Sequence, residues 1–422
     1  MVTFLHTADW QLGMTRHWLR GEAQARYDDA RLEAVRTLGR LAAEQGCDFV
    51  VVCGDVFDAN QLAPRTVLRA LEALRQVRVP VYLLPGNHDP LDALSVYRSP
   101  LFRRECPPHV HVLTEPGPVS VAEGVELVAA PWTSKHPGED LVAAAVARTG
   151  PADGTTRIVV GHGAVDVLDP DRDNRAAIRL DRLEGWLAEG RIHYVALGDR
   201  HSRTSVGDTG AVWYSGTPEV TDTRETAPGD VLVVEAGPGG VTVTPHHVGT
   251  WEFRTLRREL HGEAEIEALD RELDAIPVKD RTVVRLALRG LLTLHDHVRL
   301  EQCLARHEEL LAALIRWERH THLTLVDDGV AADAAGLGGF VGRAAEEMRT
   351  LAGVDRAPAA EGHSGTTGAE AAEEPADDEA GEEPARDEQL LGWSYDPGRP
   401  PDGDTAREAL ALLYRLTSEA GR

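Results

Sequence analysis

Short apolar runs rich in β-branched residues alternate with helix-like segments through the first half of the chain. Segments Asp28–Glu44 and Arg65–Val77 carry apolar residues at helical spacing. The apolar runs, which are typical of buried strands, are Thr3–Ala8, Asp48–Cys53, Val79–Leu84, Arg157–Val160 and Ile192–Leu197. This alternation predicts an α/β layered domain, in which ligands bind at the carboxyl edge of the sheet.

Each of these predicted strands runs into a loop that carries cation-ligating side chains. The most informative loop is Gly86-Asn87-His88-Asp89, where an amide oxygen, an imidazole and a carboxylate follow one strand end. The other loops repeat the pattern with Asp9 and Gln11, Asp55 and Asp58, His162, and Asp199 and His201. Oxygen and imidazole ligands suit hard or borderline divalent cations. We therefore predict a cation site that handles a phosphate ester.

Four sequence blocks resemble a known family: Leu5–Trp10, Val52–Asp58, Leu84–Asp89 and Tyr214–Glu219. They are similar to the calcineurin-like metallophosphoesterase superfamily and, within it, to the branch of the SbcD nuclease subunits of SbcCD complexes. The resemblance is good over residues 1–250 and weak beyond. It implies an α/β fold with two sheets in an α/β/β/α sandwich.

The resemblance also implies a site for two divalent cations, manganese first and magnesium as the alternative. Asp55 would bridge both ions. The first ion would be held by Asp9, Gln11 and His201, and the second by Asn87, His162 and Asp199. Gln11 and Asp199 stand where the family normally has histidines. Two interpretations follow: a two-ion site of altered affinity, or a one-metal, weakly catalytic relative that serves as a scaffold.

Other residues receive roles beside the metals. From the same resemblance, His88 would protonate the leaving alkoxide or steady the charge on phosphorus, and Asp58 would orient the His88 ring. Arg200 and Arg203 are predicted to bind substrate phosphates, the alternative being ordinary solvated arginines.

The chain divides into four predicted regions. Residues 1–250 form the metallophosphoesterase (nuclease) domain, which a hairpin of Val231–Glu235 and Val241–Thr244 would complete by closing the second sheet. Residues 251–353 alternate strands and helices, including a helix over His297–Trp317, and resemble a small α+β capping domain that positions DNA. A generic α+β appendage is the alternative.

Composition separates the last two regions from the rest. Residues 355–389 hold 12 acidic and 2 basic residues, which is −10 of the −25 formal charge. A run so polar and so rich in Pro, Gly and Ala predicts a disordered acidic linker over 354–389. Residues 390–422 regain apolar spacing and predict a C-terminal helix. In the resembling family such a segment binds an SbcC-type ABC ATPase; packing on its own chain is the alternative.

The remaining composition limits partners and compartment. No apolar stretch approaches the about 18 residues that span a bilayer, and we expect no signal peptide, no membrane and a cytoplasmic protein. We expect a manganese-dependent DNA exonuclease or endonuclease of repair and recombination, acting as a homodimer with the ATPase. The alternatives are a phosphoesterase for a small nucleotide or cyclic phosphodiester, and the scaffold. Because a net charge of −25 repels DNA, we expect DNA to bind at a local basic strip or at a partner's surface.

Overall fold

The structure, a computed structural model, describes residues 1–326 and residue 347. The predicted linker (354–389) and C-terminal segment (390–422) lie outside the described residues. The chain forms two compact units. The first consists of Met1–Arg257, Leu273–Ala287 and Arg306–Arg319, and the second of Arg258–Glu272, Leu288–Ala305 and the described part of His320–Arg422.

The elements up to residue 247 all belong to the first unit. In chain order they are β1 (Val2–Thr7), α1 (Glu22–Glu44), β2 (Phe49–Cys53), α2 (Pro64–Leu74), β3 (Val81–Leu84), α3 (Pro100–Glu105), β4 (Val110–Val112), β5 (Gly117–Ala122), β6 (Val125–Ala129), α4 (Leu141–Val146), β7 (Thr156–His162), α5 (Leu180–Ala188), β8 (Tyr194–Gly198), β9 (Thr204–Ser205), β10 (Val212–Tyr214), β11 (Asp230–Gly237) and β12 (Gly240–His247). The predicted strands and helices of this region form, with ends shifted by a few residues.

The first sheet has the strand order β12-β11-β1-β2-β3-β4. Strands β1 to β4 are parallel, with Phe4 opposite Phe49 and Cys53 opposite Leu84. Strand β11 of the hairpin adds to the free side of β1 in antiparallel register, with Val2 opposite Ala236. The prediction that the hairpin closes the second sheet is therefore wrong. Strand β11 covers the edge of β1 instead, through antiparallel main-chain pairing.

The second sheet has the order β5-β6-β7-β8-β10-β9, with β6, β7 and β8 parallel. Strands β7 and β8 end side by side, since His162 lies opposite Gly198. The carboxyl ends of these strands therefore carry the His162 and Asp199 loops together.

Apolar side chains fix the order of the layers. One core lies between the sheets, where Phe4 and Phe49 stack at 5.2 Å between ring centroids and Tyr194 meets Phe4 edge-on. Helices α1, α2 and α3 pack on the outer face of the first sheet, and α4 and α5 on that of the second. Burying each such side chain contributes about 1.5–3 kcal/mol. The predicted α/β/β/α sandwich is confirmed.

Beyond residue 247 the elements are β13 (Glu252–Leu260), α6 (Glu263–Asp274), β14 (Thr282–Thr293), α7 (Leu294–Glu308), β15 (Ala313–Arg316) and β16 (His322–Val326). The prediction of one helix over His297–Trp317 is wrong, because the helix ends at Glu308 and Ala313–Arg316 is a strand. That strand pairs in parallel with Val283–Leu286. A short apolar run has the same pattern in a strand and in a buried helix.

The assignment of residues 251–353 to a DNA-positioning domain stays a prediction. In the second unit, Arg289–Thr293 of β14 pairs in parallel with His322–Val326.

Among the described residues, no helix has both the length and the apolar character needed to cross a bilayer.

Candidate metal centre

The five predicted ligand loops meet at one place in the first unit. Ligand atoms of Asp9, Asp55 and His162 all lie within 4.8 Å of one another, although the residues are up to 153 positions apart. The loops are tied by main-chain hydrogen bonds, from Asp9 N to Gly54 O and from Gln11 N to Asp55 O. The loops follow the carboxyl ends of parallel strands, three in the first sheet and two in the second, and the packing of the two sheets brings them together.

His162 lies at the centre of one group of ligands. Its Nε2 is 2.7 Å from Asn87 Oδ1, 3.5 Å from Asp55 Oδ1 and 3.7 Å from Asp199 Oδ1. Its Nδ1 donates to Cys53 O at 2.8 Å, so the ring is fixed and Nε2 faces the three oxygens. A main-chain carbonyl that holds one ring nitrogen is the usual partner of a metal-ligating histidine.

The carboxylates around His162 favour a positive charge at this position. Burial alone would lower its pKa, but Asp55, Asp9 and Asp199 raise the pKa of His162 well above its ordinary value. The ring therefore carries a proton on Nε2, directed at Asn87 Oδ1. That proton occupies the position in which a divalent ion would satisfy Asp55, Asn87 and His162 together, so the donor set matches a metal centre.

A second group of ligands surrounds Asp9, which is fully buried. The main-chain N–H of Asp199 lies 3.1 Å from each Asp9 carboxylate oxygen, and His201 Nε2 lies 3.9 Å from Asp9 Oδ1. Burial raises the pKa of Asp9 to about 7. Burial would lower the pKa of His201, but Glu225 and Asp9 raise it to about 9.

Gln11 joins this second group through its amide. Gln11 Nε2 donates to Asp55 Oδ2 at 3.0 Å, and Gln11 Oε1 is buried with no hydrogen-bond partner within the described residues. An orphaned buried oxygen costs free energy unless a partner arrives. A cation is the partner that the surrounding carboxylates favour.

His88 differs from the other members of the site because its side chain is 45% exposed. Its Nδ1 lies 2.9 Å from the main-chain carbonyl of Asp58, and its Nε2 lies 4.0 Å from Asp55 Oδ2. The main-chain N–H of His88 donates to Asp55 Oδ1 at 2.9 Å. Asp58 thus contacts the His88 ring, through its main chain rather than its carboxylate.

Two glycines allow the loops to approach this closely. A Cβ on Gly86 would lie 2.2 Å from Asp55 Oδ1, and one on Gly54 would lie 2.1 Å from His162 Nδ1. Both distances are far inside van der Waals contact. Any larger residue at either position therefore displaces a ligand.

Comparison with known proteins places this site in a family. Residues 2–203 match the calcineurin-like phosphoesterase family. This region forms a calcineurin-like phosphoesterase domain. It carries every strand-end loop up to and including Asp199 and His201, so the family match covers the residues described above.

Curated relatives match parts of the phosphoesterase domain. The chain is 35% identical to the DNA double-strand break repair protein Mre11 of Archaeoglobus fulgidus over 91 residues, 21% of this chain and 19% of that protein. It is 32% identical to the SbcD component of the SbcCD nuclease of Bacillus subtilis over 136 residues, 30% of this chain and 32% of that protein. The corresponding SbcD component of Rhodobacter capsulatus is 33% identical over 28% of each chain. These matches span between 19% and 32% of the relatives' lengths.

Solved structures similar to the chain include the protein TT1561 of Thermus thermophilus and a dimetal phosphatase from Danio rerio. The first has a TM-score of 0.36 at 11% identity and covers 58% of this chain and 99% of its own. The second has a TM-score of 0.36 at 12% identity and covers 57% and 98%.

Two residues outside the ligand set implied by the resemblance support the site. Asp89 is fully buried and accepts from Gly86 N at 2.7 Å, Phe57 N at 3.1 Å and Tyr97 Oη at 2.5 Å. It thereby ties the loop after β3 to the loop after β2. The position of Asp89 in the Asn-His-Asp motif was a sequence signal by which this supporting role could have been predicted.

Glu225 is the second such residue, and it lies in a polar loop with no recognisable pattern. Its Oε1 lies 3.0 Å from His201 Nδ1, while Thr221 Oγ1 lies 2.6 Å from the same nitrogen. Because its partner is distant in sequence, only the structure reveals it.

The predicted phosphate ligands Arg200 and Arg203 have other contacts. Arg200 is exposed and its Nε donates to Thr204 Oγ1 at 3.0 Å. Arg203 Nε lies 2.9 Å from Asp230 Oδ2, so that charge is partly neutralised within the domain. A role in binding substrate stays a prediction for both.

Proposed function

We propose that this chain is a metal-dependent nuclease that hydrolyses phosphodiester bonds of DNA. The observation that carries the proposal is His88: an exposed imidazole fixed by a carbonyl at 2.9 Å, beside a buried cage of carboxylate, amide and imidazole ligands. Such a ring can reach a diester bound beside the cations that these ligands would hold. A general acid beside a metal cage is what phosphodiester hydrolysis requires.

The proposed ligands divide around Asp55, which would bridge the two ions. Asp9, Gln11 and His201 would hold one ion, and Asn87, His162 and Asp199 the other. Two divalent cations bound there would activate the attacking water and stabilise charge on the phosphoryl oxygens. We favour manganese, with magnesium as the alternative, because Asp199 adds a hard, charged ligand where the resembling family has imidazole.

His88 acts on the leaving group. Its Nδ1 contacts the Asp58 carbonyl and its Nε2 faces Asp55. A proton carried on Nε2 would therefore point to the side on which the leaving oxygen of a bound diester would lie. Proton donation by a positioned imidazole typically accelerates such a step by about 10²–10⁴-fold.

DNA is proposed as the substrate because the relatives of the phosphoesterase domain are named as a double-strand break repair protein and as nuclease subunits. We further propose a cytoplasmic homodimer that works with an SbcC-type ABC ATPase bound by residues 390–422. A net charge of −25 opposes binding of a polyanion, so the bound cations and a partner's surface would supply most of the attraction.

The test is a cleavage assay with linear duplex, single-stranded and hairpin DNA, and with a chromogenic phosphodiester. Protein is assayed with manganese, with and without the ATPase. We expect manganese-dependent cleavage of DNA that His88→Ala lowers by at least about 10²-fold, with unchanged manganese binding. His261→Ala, which removes an exposed histidine outside the phosphoesterase domain, is the matched control.

Two outcomes contradict the proposal. Turnover of the chromogenic diester without cleavage of any DNA would make the chain a phosphoesterase of small substrates. Absence of turnover with every substrate, in protein that is folded and loaded with metal, would make it a scaffold.

A further inference from the structure

The Gln11 amide lies against the carboxylate that the two proposed ions would share. Gln11 is 1% exposed, and its Nε2 donates to Asp55 Oδ2 at 3.0 Å. The amide thus presents N–H protons to this oxygen rather than a lone pair that binds cations. An ion that uses Gln11 as a ligand must break this hydrogen bond and turn the amide so that Oε1 replaces Nε2.

The amide oxygen is available for such a turn. Gln11 Oε1 is buried and has no hydrogen-bond partner among the described residues. The oxygen and nitrogen ends of an amide have nearly the same size, so the turn does not require the neighbouring side chains to repack. What it costs is the hydrogen bond to a charged oxygen.

The other oxygen of Asp55 belongs to a group in which no side chain has to turn, because an ion there takes the place of the proton between His162 Nε2 and Asn87 Oδ1. Three oxygens already lie within 3.7 Å of His162 Nε2: Asp55 Oδ1, Asn87 Oδ1 and Asp199 Oδ1. The His162 ring is fixed by its hydrogen bond to Cys53 O. Each proposed site has two carboxylates, Asp55 with Asp199 here and Asp55 with Asp9 on the other side, so the difference between the sites is the turn that Gln11 must make.

We propose that the chain binds its two cations with unequal affinity. The Asn87 site (Asp55, Asn87, His162 and Asp199) fills first, and the Gln11 site (Asp9, Gln11, Asp55 and His201) binds at least about tenfold more weakly, because an ion there must displace a charged hydrogen bond. The inference rests on the proposed metal-dependent function and assigns the order of loading. Gln11 then sets the cation concentration at which the second ion binds.

Calorimetric titration of Mn²⁺ into the metal-free 422-residue chain tests the inference. We expect two events of one ion each, whose dissociation constants differ by about tenfold or more. Electron paramagnetic resonance provides a readout that needs no variant. At one equivalent of Mn²⁺ the spectrum should be that of an isolated ion, and the signature of a coupled pair should appear only with excess Mn²⁺.

Variants assign the two events to their sites. Gln11→His replaces the amide by an imidazole and should tighten the second event while leaving the first unchanged. Asn87→Ala should weaken the first event. Gln76→His makes the same replacement at an exposed position after α2 and should change neither. Circular dichroism establishes that each variant is folded.

Equal affinity for two ions overturns the inference, and so does a second event that folded Gln11→His leaves unchanged. If equal binding accompanies DNA cleavage, only this inference fails. If unequal binding occurs in a protein that cleaves no DNA, the inference stands and the proposed nuclease function fails.

Discussion

Glu225 Oε1 lies 3.0 Å from Nδ1 of His201, and the opposite nitrogen of that ring lies 3.9 Å from Asp9 Oδ1. The carboxylate therefore fixes the ring orientation and directs Nε2 into the proposed metal centre. A carboxylate behind a ligating histidine also raises the basicity of the ligand.

Removing this carboxylate should weaken metal binding. We expect Glu225→Ala to lower the affinity for Mn²⁺ by about 10–100-fold, since His201 loses its orienting partner, and Glu225→Gln to have a smaller effect because an amide oxygen can still accept from Nδ1. Calorimetry measures both. Glu235→Ala, on an exposed position of β11, is the control. Equal affinities in Glu225→Ala and the wild type would show that Glu225 has no part in the site.

Crowding the loop after β3 should displace Asp55. In Gly86→Ala the new Cβ would lie 2.2 Å from Asp55 Oδ1 and 2.5 Å from Asp55 N. We expect a loss of about 1–3 kcal/mol in the free energy of unfolding together with loss of Mn²⁺ binding. Urea denaturation and calorimetry measure the two effects. Gly239→Ala, where an added Cβ meets nothing within 4 Å, should behave like the wild type.

Metal binding should release protons near neutral pH. The pKa of Asp9 is raised to about 7 and that of His201 to about 9. Both folded-state values exceed the unfolded ones, so the metal-free protein loses the associated stability as pH rises through about 7 and about 9. Cations replace those protons, and the increase in melting temperature on adding Mn²⁺ should be larger at pH 8 than at pH 6.

Calorimetry in buffers of different ionisation enthalpy checks this directly. At pH 7 the apparent binding enthalpy should depend on the buffer, because protons leave the site when Mn²⁺ enters. A binding enthalpy that is the same in every buffer would contradict the protonation state described here.

Acid should destabilise the domain through His6. Burial lowers the pKa of His6 to about 3, and its ring lies between Tyr194 Oη at 3.0 Å and Leu197 O at 3.1 Å. Its contribution to stability is complete above the unfolded pKa near 6.5 and is lost progressively toward pH 3. Between pH 7 and pH 5 the loss should be about 2 kcal/mol.

Urea denaturation of His6→Gln isolates this contribution from other titrating groups. The free energy of unfolding of the variant should vary less between pH 7 and pH 5 than that of the wild type, while exposed His111→Gln should not differ from the wild type. Parallel pH profiles for wild type and His6→Gln would rule out His6 as the titrating group.

The position of the candidate site was predictable from sequence because the ends of buried strands can be recognised in the sequence. Parallel strands deliver their carboxyl ends to one edge of their own sheet. This groups Asp9, Asp55 and Asn87 on the first sheet and His162 and Asp199 on the second, and the packing of the two sheets brings the groups together. The alternation of strands and helices predicted an α/β layered domain, and the family resemblance implied its two-sheet sandwich.

Other features depend on contacts that a linear pattern does not encode. The partner of His88 is the main-chain carbonyl of Asp58, and Glu225 reaches His201 from a loop without periodicity. The hairpin β11–β12 was recognised, but which sheet it joins depends on the edge that β1 leaves open. The strand Ala313–Arg316 was predicted as helix because a short apolar run fits either period.

Asp9, Gln11, Asp55 and Asp199 all have left-handed backbone, with φ of 53°, 48°, 52° and 97°. Side chains other than glycine adopt this conformation at a cost of about 1–3 kcal/mol. Glycine at these four positions would relieve the backbone strain and would also remove the four proposed cation ligands. The strained backbone thus falls on four proposed cation ligands, where the proposed chemistry needs a polar side chain that glycine does not have.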